Sequence, residues 1–278
     1  MQATFLGTAT SVGVPMLNCD CATCTSGDPR DKRLRASLWV RTTEASVVID
    51  TGPDFRQQCL RAGVRQLDAV LLTHSHYDHV AGFDDVRRFT VGLDCRMPVY
   101  ARKATIEALQ RMFPYTFNGE NMYRGYLKPQ PIEVTGPVTV GDMIFTPLPV
   151  KHGKVETIGW LIEWGGLPRL AYVPDCKEMP GSTIDHIRGV DTLVIDALRH
   201  TQHLTHLTFE ESIVLSRRIG AKRTWFTHFQ CEIRHAVDEP KLPADMRMAY
   251  DGLTLCWENK LGVRMTNQGR TGMGGNLW

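Results

Sequence analysis

The chain of 278 residues contains no run that approaches the roughly 20 apolar residues needed to span a membrane. Its first residues also lack the basic start and long apolar stretch of a secretory leader. We therefore expect a cytosolic protein with no membrane partner. Because compact α/β enzymes of this length are often one unit with a large core, we predict a single domain over residues 1–278.

An excess of either charge is also absent, since 32 Lys and Arg oppose 30 Asp and Glu and leave a formal net charge of +2. Proteins that bind long nucleic acids must neutralise many phosphates, so this balance argues against a broad surface of that kind. A local basic patch would still suffice to hold one phosphate group. The net charge alone therefore does not identify the binding partner.

Eight cysteines are present, and three of them lie within six residues, at Cys19, Cys21 and Cys24. This spacing is typical of metal binding in a reducing compartment. The cluster supplies three soft ligands, and a tetrahedral zinc ion needs a fourth from a distant part of the chain. Three reduced thiols without a metal are the alternative interpretation.

The densest group of candidate ligands follows the apolar run Ala69–Thr73, which is predicted to be a buried strand. His74, His76, Asp78 and His79 must then lie in a loop at its end, where they can turn towards one point. Zinc, manganese and iron accept neutral imidazoles and carboxylates. Without a metal, four such groups would crowd unpaired polar atoms together, so a solvated His-rich turn is the less favoured interpretation.

Other predicted strands also end in candidate ligands. In chain order these residues are Asp50, His152, Asp175 and His228. A carboxylate beside a histidine site can accept a ring N–H and fix the tautomer of the ligand, so we assign that role to Asp50. For the other three residues, an ordinary polar position at a strand end is the alternative.

Two predicted helices have recognisable starts. Phe55–Ala62 follows Asp54, which we predict to cap it, and Phe209–Ile219 follows Thr208 or Thr205 as alternative caps.

Near the end of the chain, Asp251 begins an Asp-Gly turn signal between the predicted strands Met246–Tyr250 and Leu253–Trp257. Residues 266–278 are rich in Gly and Asn and have no periodicity, which predicts an irregular tail.

The pattern H-x-H-x-D-H, which begins at His74, is the signature of the metallo-β-lactamase fold family of metal-dependent hydrolases, and the chain resembles that family. The resemblance implies an α/β fold, a four-layer αββα sandwich whose strand-end loops meet at one edge. It also implies two catalytic divalent metals, which could be zinc, manganese or iron. By this analogy the first metal is bound by His74, His76 and His152, the second by Asp78, His79 and His228, and Asp175 bridges the two.

Over nearly the whole chain the sequence also resembles the phosphodiesterase of the bacterial carbon–phosphorus lyase pathway, the PhnP type. The resemblance rests on the cysteine loop Cys19–Cys24, the Asp-Thr-Gly turn at Asp50 and the Tyr-Asp-Gly pattern at Tyr250. In that family three cysteines and a histidine hold a structural zinc, and Cys231 stands at the position of the histidine. Because cysteine is itself a good zinc ligand, the resemblance implies a four-thiolate zinc site of Cys19, Cys21, Cys24 and Cys231.

The resemblance further implies hydrolysis of small phosphodiesters, such as cyclic phosphates and nucleotides, by hydroxide that the metal pair generates. The leaving oxygen needs a proton, and His206 aligns with the general acid of the family. His200 and His203 are the alternatives for that role. The predicted catalytic set is therefore His206 together with Asp78 and Asp50.

Other activities stay open. The same metal site would serve a thioester or lactone hydrolase, or an RNA-processing nuclease, although the sequence shows no obvious long insertion to bind RNA. A non-hydrolytic protein linked to pyrroloquinoline quinone synthesis is the alternative of another class, because that group carries a similar cysteine loop. The sequence is compatible with a homodimer.

Overall fold

The computed structural model of the protein describes residues 1–90, 96–118, 125–258 and 263–266. The strands of this described part follow one another along the chain as β1 (Gln2–Gly7), β2 (Ser37–Arg41), β3 (Ser46–Ile49), β4 (Ala69–Leu71), β5 (Met97–Ala101), β6 (Pro129–Glu133), β7 (Val138–Val140), β8 (Met143–His152), β9 (Val155–Trp164), β10 (Leu167–Val173), β11 (Thr192–Asp196), β12 (Thr224–Thr227), β13 (Met246–Met248), β14 (Thr254–Trp257) and β15 (Val263–Thr266). The α-helices are α1 (Phe55–Ala62), α2 (Tyr77–Val80), α3 (Lys103–Met112), α4 (Pro114–Phe117), α5 (Gly181–His186), α6 (Phe209–Ile219) and α7 (His235–Asp238).

The strands form two mixed sheets. In the described residues, the first sheet has the order β15-β14-β1-β2-β3-β4-β5-β6 and the second has the order β13-β12-β11-β10-β9-β8-β7. β3 to β6 are mutually parallel, and so are β10 to β13. Since parallel neighbours end on the same side, the carboxyl ends of each set lie along one edge of its sheet.

Helices cover the outer faces of both sheets, so the fold has four layers. Phe5 and Trp160 belong to the apolar core between the two sheets. The first sheet packs its other face against residues that include Phe55 of α1, and the second sheet packs against residues that include Phe209 of α6. The predicted αββα sandwich is confirmed.

The two sheets are joined by hydrogen bonds close to the ends of several strands. The backbone N–H of Ile158 on β9 donates to the carbonyl of Thr73, just after β4, at 3.0 Å, and Phe229 N–H, just after β12, donates to the carbonyl of Thr8 at 2.9 Å. These contacts bring the loop after β4 and the loop after β12 to the same edge of the sandwich.

The predicted helices α1 and α6 are confirmed with the predicted bounds, but only one cap is as expected. Thr208 forms a complete capping box with Glu211. Asp54 occupies the cap position of α1, yet its side chain makes no capping hydrogen bond. Its carboxylate accepts instead from the backbone N–H of Arg35 at 2.9 Å and pairs with that guanidinium at 3.0 Å, so the predicted cap is wrong.

Near the end of the chain, the residues around Asp251 do not join a hairpin. β13 lies at an edge of the second sheet and β14 pairs with β1 in the first sheet, so the turn carries the chain from one sheet to the other. Thr266 ends β15, and the rest of the predicted tail, residues 267–278, lies outside the described residues. No α-helix in the described part of the chain is both long and apolar enough to span a bilayer.

We expect His235 to make the stability of the protein depend on pH. His235 is 3% exposed. Burial and the positive charges of Arg30 and Arg33 lower its pKa from 6.5 to about 4. Below pH 6.5 the unfolded chain therefore takes up this proton more readily than the folded one, and stability falls as the pH falls. The contribution of His235 is a loss of about 2 kcal/mol of unfolding free energy from pH 7 to pH 5.

Urea unfolding at the two pH values checks this prediction. His235→Gln should lose that part of the pH dependence, whereas His186→Gln, at an exposed position of α5, should keep it. An unchanged pH dependence in His235→Gln would contradict the prediction.

Candidate dimetal active site

The residues predicted to bind the catalytic metals lie together at the edge where the two sheets are joined. The loop after β4 and the short helix α2 carry His74, His76, Asp78 and His79, while His152 ends β8, Asp175 follows β10 and His228 follows β12. Taking one nitrogen or oxygen atom from each side chain, two groups form in which these atoms lie within 4.8 Å of one another: His74, His76, His152 and Asp175, and Asp78, His79 and His228.

In the first group, three ring nitrogens face one another. His74 Nε2 lies 2.9 Å from His76 Nδ1, and His152 Nε2 lies 3.2 Å from the same atom. His152 Nδ1 donates to the carbonyl of Thr205 at 2.8 Å, so the neutral ring has its lone pair on Nε2.

A hydrogen-bond chain fixes the tautomer of His74 in the same way. The hydroxyl of Thr73 donates to Asp50 at 2.8 Å, so it can only accept from His74 Nδ1, which lies 3.0 Å away. In the neutral ring, His74 Nε2 therefore carries no hydrogen and presents its lone pair as well. A single hydrogen on His76 Nδ1 cannot satisfy two lone pairs equally, whereas one cation can be bound by all three nitrogens.

The second group is buried and rich in unsatisfied atoms. His79 Nε2 lies 3.3 Å from a carboxylate oxygen of Asp78, and His228 Nε2 lies 3.6 Å from the same oxygen. Neither of these two ring nitrogens has a hydrogen-bond partner in the described part of the chain. Buried polar atoms without partners are rare in native proteins and indicate a missing ligand such as an ion. The donor set of this group therefore also fits a divalent metal.

Asp175 lies between the two groups and faces both. Its Oδ2 lies 3.8 Å from His74 Nε2 and 3.6 Å from His152 Nε2, whereas its Oδ1 lies 3.1 Å from His79 Nε2 and 3.4 Å from His228 Nε2. Each oxygen thus serves a different group of nitrogens, which is the arrangement that a carboxylate bridging two metals requires.

The electrostatics show that this region needs positive charge. Burial disfavours the charged form of His79, but the carboxylates of Asp175, Asp78 and Asp50 outweigh burial and raise its pKa well above the usual value. For His74, burial and the neighbouring charge of His79 lower the pKa well below the usual value. The three carboxylates around His79 therefore favour a positive charge at this point, which a proton or a bound metal ion can supply, and His74 is held neutral, as a metal ligand must be.

Asp50 lies behind His79 and does not face the metal-binding atoms. It accepts from His79 Nδ1 at 2.7 Å, which directs the other ring nitrogen towards Asp78 and Asp175. Asp50 and His228 both adopt left-handed backbone conformations, with φ of 65° and 64°. Such strain in residues other than glycine is retained where the surrounding structure enforces it, commonly at functional sites.

The backbone of Gly52, two residues after Asp50, packs closely against the backbone of Asp78. A Cβ atom at this position would lie 2.0 Å from the carbonyl oxygen of Asp78. The turn can therefore pack against the loop of the H-x-H-x-D-H pattern only if residue 52 has no side chain.

His206 lies beside the metal-binding atoms. Its Nε2 is 4.0 Å from Asp175 Oδ2, and its Nδ1 donates to the buried carboxylate of Asp196 at 2.7 Å. Asp196 also accepts from the backbone N–H of Cys176 at 3.0 Å, so it is firmly placed to orient the ring. Asp196 ends β11, and the structure identifies it as the partner of His206.

The predicted zinc ligands Cys19, Cys21, Cys24 and Cys231 also lie together, with their sulfur atoms within 4.8 Å of one another. Backbone N–H groups donate to two of these sulfurs, from Cys24 to Cys21 at 3.4 Å and from Met16 to Cys24 at 3.3 Å. The N–H of Cys24 lowers the pKa of Cys21 to about 7, which favours the thiolate that a metal binds. Four thiols in this arrangement fit a tetrahedral zinc ion.

The family is decided by comparison with known proteins. A model of the β-lactamase superfamily domain matches residues 45–229. This range includes all the candidate ligands of the metal pair, from His74 to His228. The chain belongs to the β-lactamase superfamily. Membership in this superfamily, together with the two donor groups, supports a metal-dependent hydrolase that binds divalent metals.

Two solved structures are similar to this chain over most of its length. One is described as a new diphosphatase from the PhnP family, which is 37% identical, covers 92% of this chain and 98% of its own, and gives a TM-score of 0.84. The other is zinc-bound PqqB from Methylobacterium extorquens, which is 26% identical, covers 92% and 100% of the two chains, and gives a TM-score of 0.76. The metallo-β-lactamase fold and the resemblance to the PhnP type are confirmed.

A curated relative extends well beyond the matched region. The octanoyltransferase of Porphyromonas gingivalis is 34% identical over 270 residues, which are 95% of this chain but 53% of the relative. The chain thus spans about half the length of that protein.

Proposed function

We propose that the protein is a phosphodiesterase that hydrolyses small phosphodiesters, such as cyclic phosphates and nucleotides, with two divalent metals. The observation that carries the proposal is Asp175, whose two oxygens face two separate groups of imidazole nitrogens. Two metals held by these groups would lower the pKa of water and neutralise the phosphoryl oxygens as charge builds. The similarity to a diphosphatase supports phosphoryl chemistry.

In this proposal His206 gives the leaving oxygen its proton. Asp196 fixes the ring through Nδ1, so Nε2 is the atom that carries the transferred proton. Burial lowers the pKa of His206, although Asp175 and Asp78 act in the opposite direction. An anionic substrate adds negative charge beside the ring and so favours the imidazolium form that a general acid needs.

We expect His206→Ala to lower turnover by about 10² to 10³-fold on esters with poor leaving groups such as alkoxides. On bis(p-nitrophenyl) phosphate the loss should be less than about tenfold, because nitrophenolate leaves without a proton. Steady-state kinetics on both substrates, with metal analysis of the variant, measure this difference. Equal losses on the two substrates, or loss of the metals, would count against the acid role.

A substrate panel tests the function itself. The protein loaded with zinc or manganese should hydrolyse bis(p-nitrophenyl) phosphate and cyclic nucleotides, and it should act on acyl thioesters and lactones far more slowly. Faster turnover of a thioester would replace the proposal with acyl hydrolysis. A chain that binds its ligand and returns it unchanged would instead be a non-hydrolytic protein of the pyrroloquinoline quinone type.

Neither main alternative is favoured by a feature of the site. The name octanoyltransferase belongs to a protein about twice as long, so its acyl chemistry does not identify the activity of the matching half. The net charge of +2 provides little attraction for a long RNA.

A further inference from the structure

His203 lies close to the site but has no part in the proposed hydrolysis. His203 lies three residues before His206, and the centres of the two rings are 5.0 Å apart with their planes inclined by 50°. The side chain is partly exposed, unlike the buried ring of His206. His203 therefore lies on the outer side of the group that is proposed to protonate the leaving oxygen.

The position of the hydrogen on His203 follows from Thr205. The backbone N–H of Thr205 donates to His203 Nδ1 at 3.3 Å. A backbone amide nitrogen can only donate, so Nδ1 is an acceptor and the neutral ring carries its hydrogen on Nε2. Burial and the neighbouring charges of His206 and Arg199 lower the pKa of His203, which favours this neutral form.

The Nε2–H of His203 is available to a ligand, because it makes no hydrogen bond to any residue that the structure describes. The two positively charged side chains near His203 already have partners within the protein. Lys177 pairs with Glu211 at 3.0 Å, and Arg199 donates to the carbonyl of Gln202 at 2.9 Å. His203 is thus a neutral donor of fixed tautomer beside the general acid.

We infer that His203 selects the leaving group by donating its Nε2–H to a second oxygen, next to the one that His206 protonates. The inference rests on the proposed function and deepens it. It assigns the substrates to phosphodiesters whose leaving group carries a further acceptor oxygen, such as a ribose or a second phosphate, and not to simple aryl or alkyl esters. His203 is a specificity-determining residue in this assignment.

The test compares His203→Ala with His203→Gln, whose amide can restore a donor near the position of Nε2. Leu204→Ala is the matched control, since the neighbouring Leu204 is 92% exposed. For a 2′,3′-cyclic nucleotide, His203→Ala should raise KM about five- to tenfold and leave kcat within about twofold, as expected for one lost hydrogen bond. His203→Gln and Leu204→Ala should stay within about twofold of the wild type.

A second substrate separates specificity from damage to the site. On bis(p-nitrophenyl) phosphate, whose leaving group has no acceptor oxygen beside the scissile bond, His203→Ala should match the wild type. A loss of kcat on both substrates would overturn the inference, because His203 would then act in the chemistry or in the loop structure.

Calorimetry of the metal-loaded protein with a nucleoside 3′-monophosphate gives a measure that does not depend on turnover. His203→Ala should bind this ligand about five- to tenfold more weakly than the wild type and His203→Gln. Equal affinities, or no binding to the wild type, would overturn the inference about His203. Failure of the proposed function would be seen separately, as a wild-type protein that binds the nucleotide but hydrolyses no phosphodiester.

Discussion

Asp175→Asn should lose at least one of the two catalytic metals and lower turnover by about 10³-fold or more, the largest effect expected of any substitution. The amide keeps the size of the side chain but replaces one oxygen with a nitrogen that cannot bind a metal. Since each oxygen of Asp175 faces a different pair of imidazoles, no rotation of the amide can serve both groups. Metal content by mass spectrometry and turnover of bis(p-nitrophenyl) phosphate measure the two effects.

Glu178→Gln is the control for Asp175→Asn. It removes a carboxylate from the same segment, where an exposed ion pair joins Glu178 to Lys151 at 2.8 Å. Exposed pairs of this kind contribute little, so metal content and turnover should stay near those of the wild type. If Asp175→Asn kept both metals and most of its activity, Asp175 would not bridge the metals and the proposed mechanism would be wrong.

The fold family and the placement of the candidate ligands at one edge could be predicted from the sequence, because both follow from local features of the chain. An apolar strand buried in a sheet ends at the edge of that sheet, so a histidine or carboxylate directly after it must lie at that edge. The rule applies to His74, Asp175 and His228 without knowledge of the rest of the chain. The short spacing from His74 to His79 then limits the metal-binding loop to a few geometries.

The groups that hold the ligands in place were harder to predict, because they come from distant parts of the chain. Thr73 joins His74 to Asp50 through its hydroxyl, and Thr205 fixes the tautomer of His152 with a carbonyl 53 residues away. A backbone carbonyl has no sequence signature. Asp196 lies directly at the end of β11, but its pairing with His206 depends on where the loop between them returns.

Asp54 shows how a local rule fails when a stronger partner is near. Its position directly before α1 favours a cap, worth about 1 kcal/mol. In the folded protein the guanidinium and the backbone N–H of Arg35 both reach this carboxylate, and charge-assisted hydrogen bonds of this kind are stronger than a neutral cap. The competing partner is 19 residues away, beyond the reach of any local pattern.

Cys24→Ser should remove one zinc ion per chain and lower the free energy of unfolding by about 4 kcal/mol or more, because a structural zinc contributes its binding energy to folding. Cys24 is the most buried of the four thiols and also accepts the N–H of Met16. Zinc content and urea unfolding of the protein as purified measure these losses. Cys231→His should keep the zinc, since imidazole is also a good ligand at such a site.

The effect of Cys24→Ser should extend to catalysis. Cys231 lies three residues after His228, and hydrogen bonds from Phe229 to Thr8 and from Arg33 to Ile233 connect this loop to the N-terminal part of the chain. Loss of the zinc would loosen the loop that positions His228, so turnover should fall together with stability. Cys256→Ser, outside the cluster, should change neither by much. Full activity in a zinc-free Cys24→Ser variant would show that the cysteine site stabilises the fold without supporting the catalytic centre.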